Sequence, residues 1–319
     1  MVASDMRVDA PRTQEERTLL PQVRLKHWGR WVVGALIIAL VLALGWSAAA
    51  GNIDYAAIPG YLVHPVVRAG LVNTIILAIG SMAAAIVVGV IIALMRVSNN
   101  PVANVFAVFY IWLFRGLPLL VQILLWYNLA LVFPQIRFGI PGTDLSLFSA
   151  NTNDVMTAFF AAFLGLALSQ GGYMAEIVRA GLKSVDPGQI EAAQSIGQTP
   201  MQRTFRIVLP QAMPVIIPPT GNNFIDLLKS TSLASVIGFL ELVKASNNIS
   251  SFNLQVMETL IAAAIWYMVL VTVASIGQRY LERAFDKRGR KQGMPAVRPS
   301  AGRSLSSNIF SPPFVRTKR

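Results

Sequence analysis

The chain has 319 residues, 54% of them hydrophobic and 13% charged, with 27 Lys and Arg against 15 Asp and Glu. An average soluble domain is about 25% charged, so this composition and several long charge-free runs exclude an ordinary soluble globule and point to an integral membrane protein. The absence of Cys excludes disulfides, thiolate chemistry and Fe–S clusters, and the two distant His residues, His27 and His64, suggest no metal site.

Residues 1–30 form a basic segment ahead of the first charge-free run, Trp31–Ala50. Basic residues, an apolar run and Ala48-Ala49-Ala50 together are similar to a secretory signal with a small-residue cleavage site. Thirty residues precede the run, however, and its 20 residues exceed the roughly 7–15 of a signal core, so a retained anchor helix is expected. Leu71–Met95, Gly116–Gln135, Val155–Ala175, Ile207–Ile225 and Thr259–Gln278 are likewise free of Asp, Glu, Lys and Arg. A helix rises ~1.5 Å per residue, so about 20 apolar residues cross a ~30 Å hydrocarbon core and six helical spans are expected. None of the runs alternates with period two, which argues against a transmembrane barrel.

Arg115 interrupts the apolar stretch Phe109–Gln122. An Arg at mid-bilayer costs ~3 kcal/mol on insertion scales. The expectation is an interfacial lead-in helix over Pro101–Phe114, Arg115 at the cytoplasmic boundary, and a crossing from Gly116 with Pro118 in its first turn.

Segments 1–30, 95–115, 176–210 and 279–319 hold 23 of the 27 Lys and Arg. The positive-inside rule puts these segments, and both termini, in the cytoplasm. The basic tail 284–319 becomes rich in Pro, Ser and Arg after Gly293, a disordered composition suited to anionic lipid headgroups. No recognition motif supports nucleic acid as a partner.

The segment at about 186–210 is the most informative. Asp186 followed by Pro187 reads as an N-cap and first helical position, and Ile190, Ala193 and Ile196–Gly197 recur at helical spacing. Thr199-Pro200 opens a second helix in which Met201, Phe205 and Val208 share a face. Within it lie Glu191-Ala192-Ala193, three residues, Gly197, nine residues, Ile207, one residue, then Leu209-Pro210. This pattern resembles the EAA loop of ABC importer permeases. Flanking blocks are similar to the polar amino acid uptake members of that family: Gly70-Leu-Val-Asn73-Thr74, Arg115-Gly-Leu-Pro-Leu-Leu-Val-Gln122, Tyr173-Met-Ala-Glu176-Ile-Val-Arg179, Pro218-Pro-Thr-Gly-Asn222 and Lys229-Ser-Thr-Ser-Leu233. The resemblance covers roughly 66–283. Gly171-Gly172 stands where the family has an Ala-rich stretch, and Ser230 where it often has Asp. The first span, the 134–153 loop and the long tail exceed the minimal core.

The resemblance implies an all-α polytopic membrane protein, a type I ABC importer permease-like core of five helices (66–283) plus one N-terminal helix (31–50). It implies a bacterial plasma (inner) membrane location, pairing with a second copy or a paralogue, and docking on two cytoplasmic ATPase subunits. Glu191, Ala192, Ala193, Gly197, Ile207, Leu209 and Pro210 would form the coupling loop. An extracytoplasmic solute-binding protein would deliver a polar amino acid, with an opine, a sulfur amino acid or a betaine as alternative cargo. No P-loop is present, since Gly181-Leu-Lys-Ser184 lacks the Gly-x-x-x-x-Gly-Lys-Ser/Thr spacing. ATP and Mg are therefore expected on the partner subunits, with no cofactor in this chain, which is not itself an enzyme. An ion-coupled secondary transporter would need no ATPase, but that class often carries paired broken helices and only one broken span is expected here.

That span begins with Pro214, Pro218 and Pro219, which are expected to bend or break its helix. Asn222, Asp226 and Lys229 follow at i, i+4 and i+7 and share a face, with Ser230, Thr231 and Ser232 behind them. Intramembrane ionisable groups are functional candidates by default. Two readings stay open: this face lines the solute pathway, or Asp226 and Lys229 form an i,i+3 pair sealing an interface between permease subunits. Glu258 is a weaker candidate at the external end of the last span.

Overall fold

A computed structural model describes residues 28–139 and 146–291, in two units that divide at Ile53 and Asp54. The expectations for residues 1–27 and 292–319 lie outside the described residues. The first unit contains α1 (Trp28–Ala49), which is apolar on every side and long enough to cross a membrane. It starts three residues ahead of the charge-free run.

The second unit is built on two long helices, α3 (Pro65–Val97) and α7 (Ala158–Lys183), which pack along much of their length. Small side chains make this approach feasible. Ala78, Ala85, Ala161 and Ala162 are fully buried between Leu77, Met82, Leu166 and Met174. At Gly89 a Cβ would stand 2.4 Å from Met174 Cβ and 3.0 Å from the Ala175 nitrogen. Lipid tails are as apolar as Leu, so helices in a membrane gain from close van der Waals contact rather than from escaping solvent.

Short α2 (Ile58–Leu62) precedes α3 and is tied to the last helix, α12 (Val256–Lys291). Glu258 accepts from Asp54 N–H at 2.8 Å, and Trp266 Nε1 donates to the Leu62 carbonyl at 3.1 Å. Glu258 is thus buried as a cap acceptor. Helix α12 also runs eight residues past the expected boundary at 283.

The crossing expected over Gly116–Gln135 is not one helix. Helix α4 (Pro101–Gly116) ends where Leu117 turns extended (φ −86°, ψ 136°), and α5 (Leu119–Tyr127) leaves at 101°. A residue before proline disfavours the helical region, and Pro118 has no N–H to continue the ladder. The Gln122 side chain closes the corner by donating to the Phe114 and Leu117 carbonyls at 3.0 and 2.9 Å. Nine residues of α5 rise only about 14 Å, so α5 alone is too short to cross, and only the bent pair α4–α5 has the length and apolarity of a span. The chain then forms a hairpin, β1 (Gln135–Gly139) and β2 (Ser146–Asn151), antiparallel with Ile136 opposite Ala150, and a single turn, α6 (Thr152–Val155).

After α7 come α8 (Pro187–Ser195), α9 (Pro200–Arg203), a π turn over Thr204–Val208 and α10 (Leu209–Ser230). The expected break in α10 does not occur. Its 22 residues continue through Pro214, Pro218 and Pro219. Side chains also bond its backbone: Gln170 donates to the Asn223 carbonyl at 3.0 Å, Gln278 to that of Pro218 at 3.3 Å, and Thr220 to that of Ile216 at 2.7 Å. Among the described residues four helices (α1, α3, α7, α12) are long and apolar enough to cross a membrane, five if α4–α5 counts as one. Helix α10, the sixth expected span, extends about 33 Å but carries too much polar surface to meet that measure.

A 3-10 turn, Thr231–Ile237, leads from α10 to α11 (Leu242–Asn253). The N-terminus of α11 is pinned from three sides. Glu241, fully buried, accepts from Val243 N–H and Lys244 N–H at 2.8 Å each and from the Tyr267 hydroxyl of α12 at 2.9 Å. Thr74 and Asn73 of α3 bond the Leu242 N–H (3.2 Å) and the Leu240 carbonyl (2.8 Å). Burial pushes the Glu241 carboxyl above its ordinary range, against these three donors, which favour the ionised form.

Two stability outcomes are expected from this packing. Glu241→Ala strands two amides and a hydroxyl, and should cost about 1–3 kcal/mol. Gly89→Leu forces α3 from α7 and should cost at least about 1–3 kcal/mol. Thermal unfolding of the detergent-purified protein, followed by loss of monodisperse material, measures both.

Candidate coupling loop and polar faces

The 186–210 loop folds by its own capping chemistry. Asp186 Oδ1 accepts from Gly188 N–H at 2.7 Å and starts α8. Gly197, at φ +77°, ends it, with Gly197 N–H on the Gln194 carbonyl (3.0 Å) and Gln198 N–H on that of Ala193 (3.1 Å). Only glycine enters this left-handed region without steric cost. Thr199 and Gln202 then form a reciprocal capping box that starts α9, at 3.3 and 3.0 Å. Arg203 donates to Gln194 Oε1 at 2.9 Å, and the Gln211 and Gln189 side chains bond, so α8, α9 and the start of α10 are held as one hairpin.

Within this hairpin Glu191 and Ala192 are exposed, whereas Ala193 is 3% exposed and turned into the bundle. A helix advances about 100° per residue, so neighbours in an Ala-Ala pair part company once one packs inward. Ile207, Leu209 and Pro210 are half-buried at the root of α10. Ile196, Met201 and Phe205 stand 76%, 70% and 58% exposed. Spacing alone grouped Met201 and Phe205 with Val208, but Val208 packs on the core, so the three outward side chains come from both helices.

The second candidate set lies at the far end of α10. Asn222, Asp226 and Lys229 are all exposed along one face. Lys229 Nζ and Asp226 Oδ1 are 2.7 Å apart, with the two side chains 55% and 65% exposed. An open depression of about 460 Å³ is lined by Asp226, Lys229, Ser230, Ser232 and Leu233. The Ser230 and Ser232 hydroxyls bond the Asp226 and Lys229 carbonyls at 2.8 and 2.9 Å. Asn222 Oδ1 instead receives Gln278 Nε2 of α12 at 3.0 Å. Thr231 departs from the expectation: it is fully buried, bonded to the Leu228 carbonyl at 2.8 Å and 3.4 Å from the Tyr267 hydroxyl. The switch to a 3-10 turn at Thr231 rotates it inward between two outward serines. An ion pair this exposed is worth less than about 1 kcal/mol, so it adds little as a structural clamp within the chain.

A third set was not among the sequence candidates. Arg115 lies in the last turn of α4, one residue before its end at Gly116, and its side chain is exposed. Its guanidinium lies 4.9 Å from the centre of the Tyr173 ring, and Tyr173 is ten residues, about 15 Å, from the Lys183 end of α7. One turn along α7, Arg179 and Glu176 pair at 2.5 Å, each side chain 28% exposed. The signal was present as an Arg inside an apolar run. What hid it was the distance along the chain, since no local pattern pairs Arg115 with Tyr173.

The family described as "binding-protein-dependent transport system inner membrane component" matches residues 85–287. The chain is 39% identical over 268 residues to the arginine transport system permease protein ArgU of Corynebacterium glutamicum, covering 82% of each chain. It is 42% identical over 224 residues to the probable amino-acid permease protein YxeN of Bacillus subtilis, covering 70% of this chain and 92% of that one. Among solved structures, a crystal structure of an amino acid ABC transporter with histidines aligns over 73% of this chain and 100% of its own, at 34% identity and a TM-score of 0.61. A methionine ABC transporter, MetNI, in an inward-facing conformation shares the fold at 20% identity and a TM-score of 0.53, over 69% and 96% of the two chains. The chain belongs to the family of inner membrane components of binding-protein-dependent transport systems.

Proposed function

We propose that this chain is the membrane-spanning permease subunit of an ATP-driven importer of polar amino acids. It would work with two cytoplasmic ATPase subunits, a second permease copy or paralogue, and an extracytoplasmic solute-binding protein. The observation that carries this is the self-capped hairpin of α8 and α9, which offers Glu191 beside exposed Ile196, Met201 and Phe205. Three large exposed apolar side chains and an exposed carboxylate in one short loop suit a docking contact: apolar anchors supply burial and the carboxylate a charge-assisted hydrogen bond. The arginine and amino-acid relatives support the cargo class. The charge distribution supports cytoplasmic termini and places the hairpin on the ATPase side.

The coupling route is short. The hairpin is joined through the π turn to α10, whose opposite end carries Asp226 and Lys229. ATP-driven closure of the ATPases would move the hairpin, and α10, unbroken by its prolines, would carry that displacement to the polar face about 33 Å away. The two sides of the site then open in turn, by rigid-body alternation. At the polar face the exposed ion pair presents a carboxylate and an ammonium that can exchange partners with a zwitterionic solute. ATP hydrolysis itself belongs to the partner subunits.

Affinity purification from native membranes tests the docking role. A P-loop ATPase is expected with the wild type and depleted at least tenfold with Gly197→Trp, whose side chain meets both a positive φ and the docking surface. If crosslinked membranes yield no ATPase with the wild type, the importer assignment fails. The polar face is tested by uptake of labelled arginine in complexes that still assemble. Asp226→Asn and Lys229→Met should each reduce uptake at least tenfold, and unchanged rates and half-saturation in both would remove the pathway role.

A further inference from the structure

Arg115, exposed in the last turn of α4, faces α7. Among the described residues no carboxylate lies within 4.0 Å of it and no acceptor takes its N–H groups. Its stem runs past Gly172, where a Cβ would stand 3.0 Å from Arg115 Cγ. The Tyr173 ring covers the guanidinium at 4.9 Å. The departure from an Ala-rich stretch at Gly172 thus leaves room for the Arg side chain. Stacking holds the guanidinium in place and leaves its planar fork of donors unclaimed. An Arg at the corner of two apolar helices is ordinarily paired or lines a polar path.

Glu176 complements it on the same helix, one turn from Tyr173. Arg179 Nε and Nη2 both donate to Glu176 Oε2, at 3.0 and 2.5 Å, which leaves Oε1 without a partner among the described residues. An unclaimed guanidinium and an unclaimed carboxylate oxygen therefore flank one aromatic ring. One turn before that ring, Gln170 bonds the α10 backbone at Asn223, beside Asn222 of the polar face.

We propose that Arg115, with Tyr173 and Glu176, forms a second solute subsite, one step deeper than Asp226–Lys229, in which Arg115 takes the solute's carboxylate and Glu176 Oε1 its ammonium. The subsite rests on the permease assignment, and it adds a specificity element: the free carboxylate is read inside the membrane subunit. A solute leaving the α10 face would pass along the Gln170–Asn223 contact to reach it.

The test is equilibrium binding of labelled arginine, glutamine and cystine to the complete permease–ATPase complex in phosphatidylcholine nanodiscs, without the binding protein. Methyl esters of the same amino acids serve as competitors. The wild type should bind at least one of the three and prefer the free acid to its ester at least tenfold, the scale of a charge-assisted hydrogen bond. Arg115→Gln should weaken binding at least tenfold and abolish the preference for the free acid. Arg115→Lys should keep part of both, and Tyr173→Phe, which retains the ring, nearly all. Equal loss of acid and ester in assembled Arg115→Gln complexes would make Arg115 structural and overturn the proposal. So would wild-type complexes that bind none of the three. An Arg115→Gln complex that binds amino acids normally but retains less added phosphatidylglycerol would assign the anion to a lipid phosphate and equally overturn it. Failure of the permease assignment would show separately, as an absence of ATPase in the purified complex.

Discussion

Everything in the second unit hangs on the contact between α3 and α7. Where Gly89 meets Met174 the helices stand closer than a single methyl group would allow, and the alanines around them continue that seam. In lipid a loose contact gains almost nothing, because tails fill the gap as favourably as side chains do. Close packing makes the pair a rigid post, to which the other elements attach by specific polar bonds. The Tyr110 hydroxyl ties α4 to the Leu168 carbonyl of α7 at 2.7 Å. Gln170 ties α10, while Asn73 and Thr74 tie the approach to α11.

Two groups of polar side chains in this bundle contrast. Glu241, Glu258 and Thr74 are buried and each has its hydrogen bonds made. A buried polar group costs free energy unless it is paired, and these are paired, so they explain how neighbouring elements are joined. Asp226, Lys229, Arg115 and Glu176 are partly or largely exposed, on helices that an apolar environment would otherwise favour burying. Asp226 pairs with Lys229, Glu176 with Arg179, and Arg115 stacks on Tyr173. Charged groups left open on apolar helices demand a polar surrounding, which is the ground for the proposed solute path.

The hairpin before α10 obeys different physics. Its helices are too short to persist alone, and they are fixed by caps, a left-handed glycine and two side-chain bridges. Order therefore comes from hydrogen bonds local to the loop, which leaves its large apolar side chains free to face a partner. Such a part can be displaced as a unit. The π turn and α10 follow it without a break in the helical chain.

The apolar runs that became α1, α3, α7 and α12 were legible because crossing a membrane demands about 20 apolar residues in succession. The capping signals of α8 and α9 were legible for a related reason: Asp186-Pro187 and Thr199-Pro200 act on backbone groups two or three residues away. The sequence by itself determined those elements, the family loop and the residues of the α10 face. Tertiary structure decided which backbone groups freed by proline would find partners. Gln122 closes the corner at Pro118, where Phe114 has lost its helical donor, and so permits a sharp bend, whereas α10 runs unbroken past three prolines with side chains of α7 and α12 bonded to its backbone at Asn223 and Pro218. It also decided which side of a helix faces in, turning Ala193 and Thr231 away from the faces expected of them and setting Arg115 against Tyr173. Those outcomes depend on contacts between residues far apart in the chain, such as Thr74 with Leu242, and no local pattern encodes them.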